Sequence, residues 1–255
     1  MTAEGTAEGT AEGPAESTAR SGPPRVPFDP ELLDGLADFK ERLEFEPLVP
    51  ETIHSYRSRF AAGTPTLAEL ADGRPVDVED RVVAGPAGAP EITVTVVRPR
   101  ATTPGTAGVY AIHGGGMILG HRYGTVADLV DLADEHGVVG VSVGYRLAPE
   151  HPHPAPVEDC YAGLRWMADH ADELGVDPTR ILVMGASAGG GLSAGVALLA
   201  RDRGGPALAG QMLVCPMIDD RNDTVSSRQY PDVGIWDASF NETGWNALVG
   251  AHARG

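Results

Sequence analysis

Lysine is nearly absent from this 255-residue sequence: Lys40 stands alone against 18 arginines. With many Ala, Gly and Pro beside it, that scarcity reads as GC-rich coding rather than a physical adaptation. Cysteine is scarce as well. Cys160 and Cys215 are too few for a disulfide scaffold and lack metal-ligand spacing, so neither a metal nor an organic cofactor is expected. No stretch approaches the ~18 consecutive apolar residues of a membrane-crossing helix. The first residues have neither a basic start nor an apolar core, so a secretory signal is not expected and a cytoplasmic location is the default. Basic side chains number 19 against 36 acidic ones, and the formal charge of −17 disfavours nucleic acid and anionic membrane as partners, because phosphates are repelled. What remains is ordinary. Hydrophobic residues at 42 % and charged residues at 22 % suit a folded chain, and the length allows one sizeable domain or two small ones.

The chain opens on a Thr-Ala-Glu-Gly repeat from Thr2 to Gly13 and offers no large aliphatic or aromatic side chain before Val26. Such a stretch cannot bury enough surface to offset its ordering entropy, so residues 1–25 are expected to form a disordered, low-complexity tail. Leu32, Leu33, Leu36, Phe39 and Leu43 recur at helical spacing, which predicts an amphipathic helix over 29–46; a second is predicted over 51–62. After Gly73-Arg74-Pro75 the period switches to two, predicting strands at 76–84 and 91–98. From there strands at 109–112, 138–143, 181–184 and 211–216 alternate with helices at 124–136, 156–174 and 188–202. That alternation predicts an α/β fold with a mostly parallel sheet and helices on both faces. Catalytic groups in such sheets sit beyond the carboxyl ends of strands.

Two such strand ends carry chemistry. Gly185-Ala186-Ser187-Ala188-Gly189 follows one strand and opens a helix, the pattern of a nucleophile elbow that lifts a serine hydroxyl above the sheet. His113-Gly114-Gly115-Gly116 follows another, and consecutive glycines let backbone N–H groups approach a ligand with no side chain in the way. The elbow pattern alone would arise by chance roughly 0.2 times in a chain so rich in glycine, the second only about 0.02 times. His113 is read as bracing its loop by hydrogen bonding rather than as a catalytic group.

With these two motifs, Tyr145-Arg146-Leu147-Ala148-Pro149-Glu150-His151-Pro152 and Cys215-Pro216-Met217-Ile218-Asp219-Asp220, the chain resembles the hormone-sensitive-lipase branch of the α/β-hydrolases over about residues 30–250. The resemblance implies a carboxylic-ester hydrolase with Ser187 as nucleophile and the N–H groups of Gly115, Gly116 and Ala188 as oxyanion donors. Gly114, Gly185 and Gly189 support the two turns. It also implies that residues 26–75 form a helical cap segment and that 76–255 form the hydrolase core. The expected partner is a small acyl ester, with a homodimer allowed.

The resemblance further implies an Asp or Glu and then a His after the serine. The segments that carry them, and the last strands of the sheet, are not found in residues 188–255, so the chain reads as C-terminally truncated, with activity in doubt. Asp219, Asp220, Asp223, Asp232 and Asp237 are the substitute acids, and His252 is the histidine after the serine. An improvised triad of Ser187, Asp219 or Asp220, and His252 is in the right order. A non-catalytic small-molecule binder on the same fold is the alternative reading.

Overall fold

The structure is a computed structural model that describes residues 24–42, 44–101 and 103–250. Three helices come first: α1 (Pro30–Arg42), α2 (Ile53–Ala62) and α3 (Leu67–Ala71). Strands β1 (Val76–Val83) and β2 (Ile92–Pro99) then form an antiparallel hairpin, with Val76 opposite Pro99 and Val83 opposite Ile92. Next come β3 (Thr106–Ile112), α4 (Val126–His136), β4 (Val139–Gly144), α5 (Ala155–Asp169) and α6 (Ala171–Leu174). The chain continues through β5 (Val176–Ala186), α7 (Ala188–Asp202), β6 (Gly210–Val214), α8 (Val225–Gln229) and α9 (Ala238–Val249).

The sheet order is β1-β2-β4-β3-β5-β6. Pairings β3–β4, β3–β5 and β5–β6 are parallel, whereas β1–β2 and β2–β4 are antiparallel. The expected mostly parallel α/β sheet is therefore present, with an antiparallel ribbon on one side. Along β3 the side chains alternate. Val109 and Ala111 join a core with Val126, Leu129 and Val130 of α4, while Tyr110 and Ile112 join another with Leu164 of α5 and Val196 of α7. Each fully buried aliphatic of this kind contributes about 1.5–3 kcal/mol.

Several expectations need correction. Only Pro24 and Arg25 of the anticipated tail lie among the described residues, and they are not loose: Pro24 O accepts from Gln229 Nε2 at 2.7 Å and Arg25 pairs with Asp232. Helix α1 ends at Arg42 rather than 46, and its stripe is not core, since Leu32 and Leu33 are exposed. Leu43 lies outside the described residues. Within residues 26–75 the helices pack against different parts of the core. Helix α3 packs its Leu70 and Ala71 with the α4 core, whereas Ile53 and Tyr56 of α2 join the other. The helix anticipated over 156–174 is split at His170, whose φ of −108° and ψ of 19° leave the helical region. Strand β5 starts earlier than 181, and β6 stops at Val214, where Cys215 turns to φ +38° and Pro216 has no N–H to continue the ladder. Among the described residues, no helix is long and apolar enough to cross a membrane.

The loop after β4 is tied to α5 by one ion pair. Asp159, fully buried, accepts from Arg146 three times, at the backbone N–H (2.9 Å), Nε (2.8 Å) and Nη2 (2.7 Å). Replacing Asp159 with Ala leaves a half-buried guanidinium and a backbone N–H without their partner. The expected cost is about 1–3 kcal/mol, read as a lowered urea midpoint at unchanged m-value; an unchanged midpoint would contradict this role.

Candidate active site

Residue pairing across three strands assembles the site. Ile112 of β3 lies opposite Gly185 of β5, and Ala186 of β5 lies opposite Val214 of β6. The chain therefore leaves the sheet side by side at His113, Ser187 and Cys215. Ser187 has φ +55° and ψ −120°, a conformation that costs a non-glycine residue about 1–3 kcal/mol. It is held there by its own backbone. The Ser187 N–H donates to Val214 O at 2.9 Å, and Ser187 O accepts from Met217 N–H at 2.8 Å and Gly191 N–H at 3.0 Å. The turn also needs its flanking glycines: a Cβ on Gly189 would lie 2.0 Å from Ile112 O, and one on Gly185 2.3 Å from Gly189 O. Helix α7 starts immediately, with buried Ala188 as its first residue, so unpaired N–H groups and the positive end of the helix dipole face the serine's surroundings.

The glycine loop beside it is folded on itself, with Ile118 and Leu119 N–H donating to Gly115 O at 3.1 and 2.7 Å. Gly115 and Gly116 sit at φ +116° and +62°. Among the described residues neither of their N–H groups has a backbone acceptor, which is what an oxyanion donor requires. His113 is buried, with Nδ1 2.8 Å from Gly114 O, so that nitrogen carries the proton and donates. Its ring stacks on Tyr145 at 4.2 Å, and the Tyr145 hydroxyl donates to His113 O at 3.0 Å. Burial pushes the imidazole down to about 4, so it stays neutral near pH 7.

Residues 109–255 match the family model for the alpha/beta hydrolase fold. The chain belongs to the α/β-hydrolase fold family. It is 47 % identical over 141 residues to the carboxylesterase NlhH of Mycobacterium tuberculosis, a match covering 54 % of this chain and 43 % of that one. With the esterase LipI of the same organism it shares 37 % over 194 residues, 75 % of this chain and 53 % of LipI. It thus spans about half the length of these curated relatives. Among solved structures it resembles a bacterial heroin esterase at TM-score 0.78 and 34 % identity, covering 89 % of this chain and 70 % of that one. An esterase of the archaeon Pyrobaculum calidifontis gives TM-score 0.75 and 36 % identity, covering 88 % and 71 %.

In this α/β-hydrolase two hollows open at Ser187. The larger, about 570 Å³, runs along the glycine loop beneath Phe39, Phe45, Phe60 and Phe240; the smaller, about 240 Å³, lies over Met217, Asn222 and Thr224. Of the substitute acids, Asp219 borders the smaller hollow but is engaged by Arg221 at 2.6 Å, and Asp237 caps α9 by accepting from Phe240 N–H. Asp232 is paired with Arg25, and Asp220 borders a separate groove beside Trp245. The Asp223 carbonyl accepts from Arg228. His252 lies outside the described residues, and among those described no imidazole hydrogen-bonds the Ser187 hydroxyl. The improvised triad is not assembled among the described residues.

Other groups around the site escaped sequence reading because their partners are remote in the chain. Arg57 of α2 donates to Ile118 O at 2.8 Å and Ala148 O at 2.6 Å and pairs with Glu150. Asp80 of β1 accepts from Arg122, Thr95 and Tyr123, just past the glycine loop. Burial raises its carboxyl, but those bonds outweigh burial and hold it at about 2. Trp236, which borders both hollows, carried no motif at all.

The depressed His113 sets a pH dependence with a definite sign. The unfolded chain takes up this proton near pH 6.5 and the folded chain only near 4. The stabilisation is therefore complete above pH 6.5 and is lost as pH falls to 4, of the order of 3 kcal/mol. His113→Asn should flatten the slope of urea midpoint against pH in that window; an unchanged slope would show that His113 is not the group responsible.

Proposed function

We propose that this chain carries the nucleophile and oxyanion half of a cytoplasmic carboxylic-ester hydrolase. The observation that carries the reading is the strained Ser187 turn, aligned by strand register beside glycine N–H groups that lack backbone acceptors. In this reading the acyl carbon of a small ester sits above Ser187 Oγ. Attack forms a C–O bond, and the carbonyl oxygen takes the negative charge between the N–H groups of Gly115, Gly116 and Ala188. The leaving alcohol departs, and water releases the acyl group from the serine. The similarity to carboxylesterases supports the substrate class, and the formal charge of −17 supports a role away from nucleic acids.

A base must take the Ser187 proton and return it to the leaving alcohol. Among the described residues none is in place to do so, and that observation favours a second reading, a small-molecule binder that keeps the cleft without turnover. Hydrolysis of p-nitrophenyl acetate by the purified chain and by Ser187→Ala separates the two. The ester-hydrolase reading expects a rate above background that falls at least tenfold on substitution. Equal rates in both chains would leave the binder.

A further inference from the structure

The two hollows at Ser187 share three residues, Ser187, Cys215 and Trp236. Ser187 and Cys215 belong to the strand ends that form the floor, which leaves the Trp236 indole as the wall between them. We infer that Trp236 is a specificity-determining partition, so that the site takes esters with a bulky aromatic or apolar group on one side of the scissile carbonyl and a short hydroxyl-bearing group on the other. This rests on the proposal that Ser187 attacks an ester.

The linings differ in kind. Phe39, Phe45, Phe60 and Phe240 surround the 570 Å³ hollow with rings, whereas the 240 Å³ one sets Thr224, Ser227, Asn222, Asn241 and the Asp219 carboxylate beside Pro216, Met217 and Ile218. An aryl group gains little beside amides, and an unpaired hydroxyl is costly against phenyl rings, so the two ends of an ester are sorted by chemistry as well as size. The wall itself is fixed. Its ring abuts Gly116, where a Cβ would lie 2.1 Å from the indole Cη2, and Phe240 meets it edge-on at 5.6 Å. The indole N–H donates to Asn241 Oδ1 at 3.2 Å, and Asn241 Nδ2 donates to Asn222 Oδ1 at 2.6 Å. An indole held on three sides does not swing aside to merge the hollows.

The test separates binding from chemistry. In a Ser187→Ala background, calorimetry compares two ketones that cannot be hydrolysed, 1-hydroxy-3-(2-naphthyl)propan-2-one and 1-(2-naphthyl)heptan-2-one. The hydroxyketone should bind at least tenfold more tightly. Adding Trp236→Ala should move the ratio at least tenfold toward the heptanone. Trp236→Phe, which keeps a ring against Gly116, should move it less in the same direction, and it decides the matter if the alanine variant does not fold. An unchanged ratio in the variant that folds, or no binding of either ketone by the parent, overturns the partition. Turnover of 2-naphthyl acetate that survives Ser187→Ala sinks the ester reading instead, because the ketone ratio is measured without any reaction.

Discussion

Everything at the site depends on strand register. With Ile112 opposite Gly185 and Ala186 opposite Val214, three chain segments leave the sheet at one level, and the hydrogen bond from Ser187 N–H to Val214 O extends that alignment one residue past the strands. A slip of one residue in β5 would turn Val183 from core to the opposite face and carry Ser187 away from the glycine loop. The buried valines and isoleucines of the sheet, which look structural, therefore position Ser187. The strain at Ser187 persists because the neighbouring strands over-determine its backbone.

The roof over the site is held by few polar ties and a group of rings. Phe45 stacks on Phe240 at 5.0 Å, and Tyr56 meets both edge-on. Thr243 Oγ1 donates to Leu48 O at 2.8 Å, joining α9 to the segment before α2. Arg57 joins α2 to the glycine loop and to the loop after β4, where its guanidinium satisfies two carbonyls and one carboxylate at once. The glycine loop is thereby coupled to helix α2.

Local patterns were legible from residue order alone. Strand and helix periods over 76–202 showed the α/β alternation, and the glycines around Ser187 and after His113 announced tight turns. Pairwise partners were not legible. Nothing in the order of residues says that β2 runs antiparallel to β4, that Asp80 meets Arg122, or that Trp236 rests on Gly116, because each depends on side chains brought together from distant positions. The apolar stripe of α1 misled for the opposite reason: helical periodicity reports an apolar face, and here Phe39 of that face borders the cleft while Leu32 and Leu33 stay exposed. The break at His170 has no evident local cause in the sequence.

The clasp between Val26 and Tyr230, where the phenol hydroxyl both accepts from Val26 N–H at 3.0 Å and donates to Val26 O at 2.8 Å, joins residues 204 positions apart. Closing so long a loop carries an entropic cost that is repaid only after the intervening sheet exists. Val26, Phe45 and Tyr56 precede the sheet in the chain, whereas Tyr230 and Phe240, their partners in the roof, follow it. The turn at Ser187 is thus framed by contacts local to the sheet, whereas its roof depends on contacts that span most of the described chain.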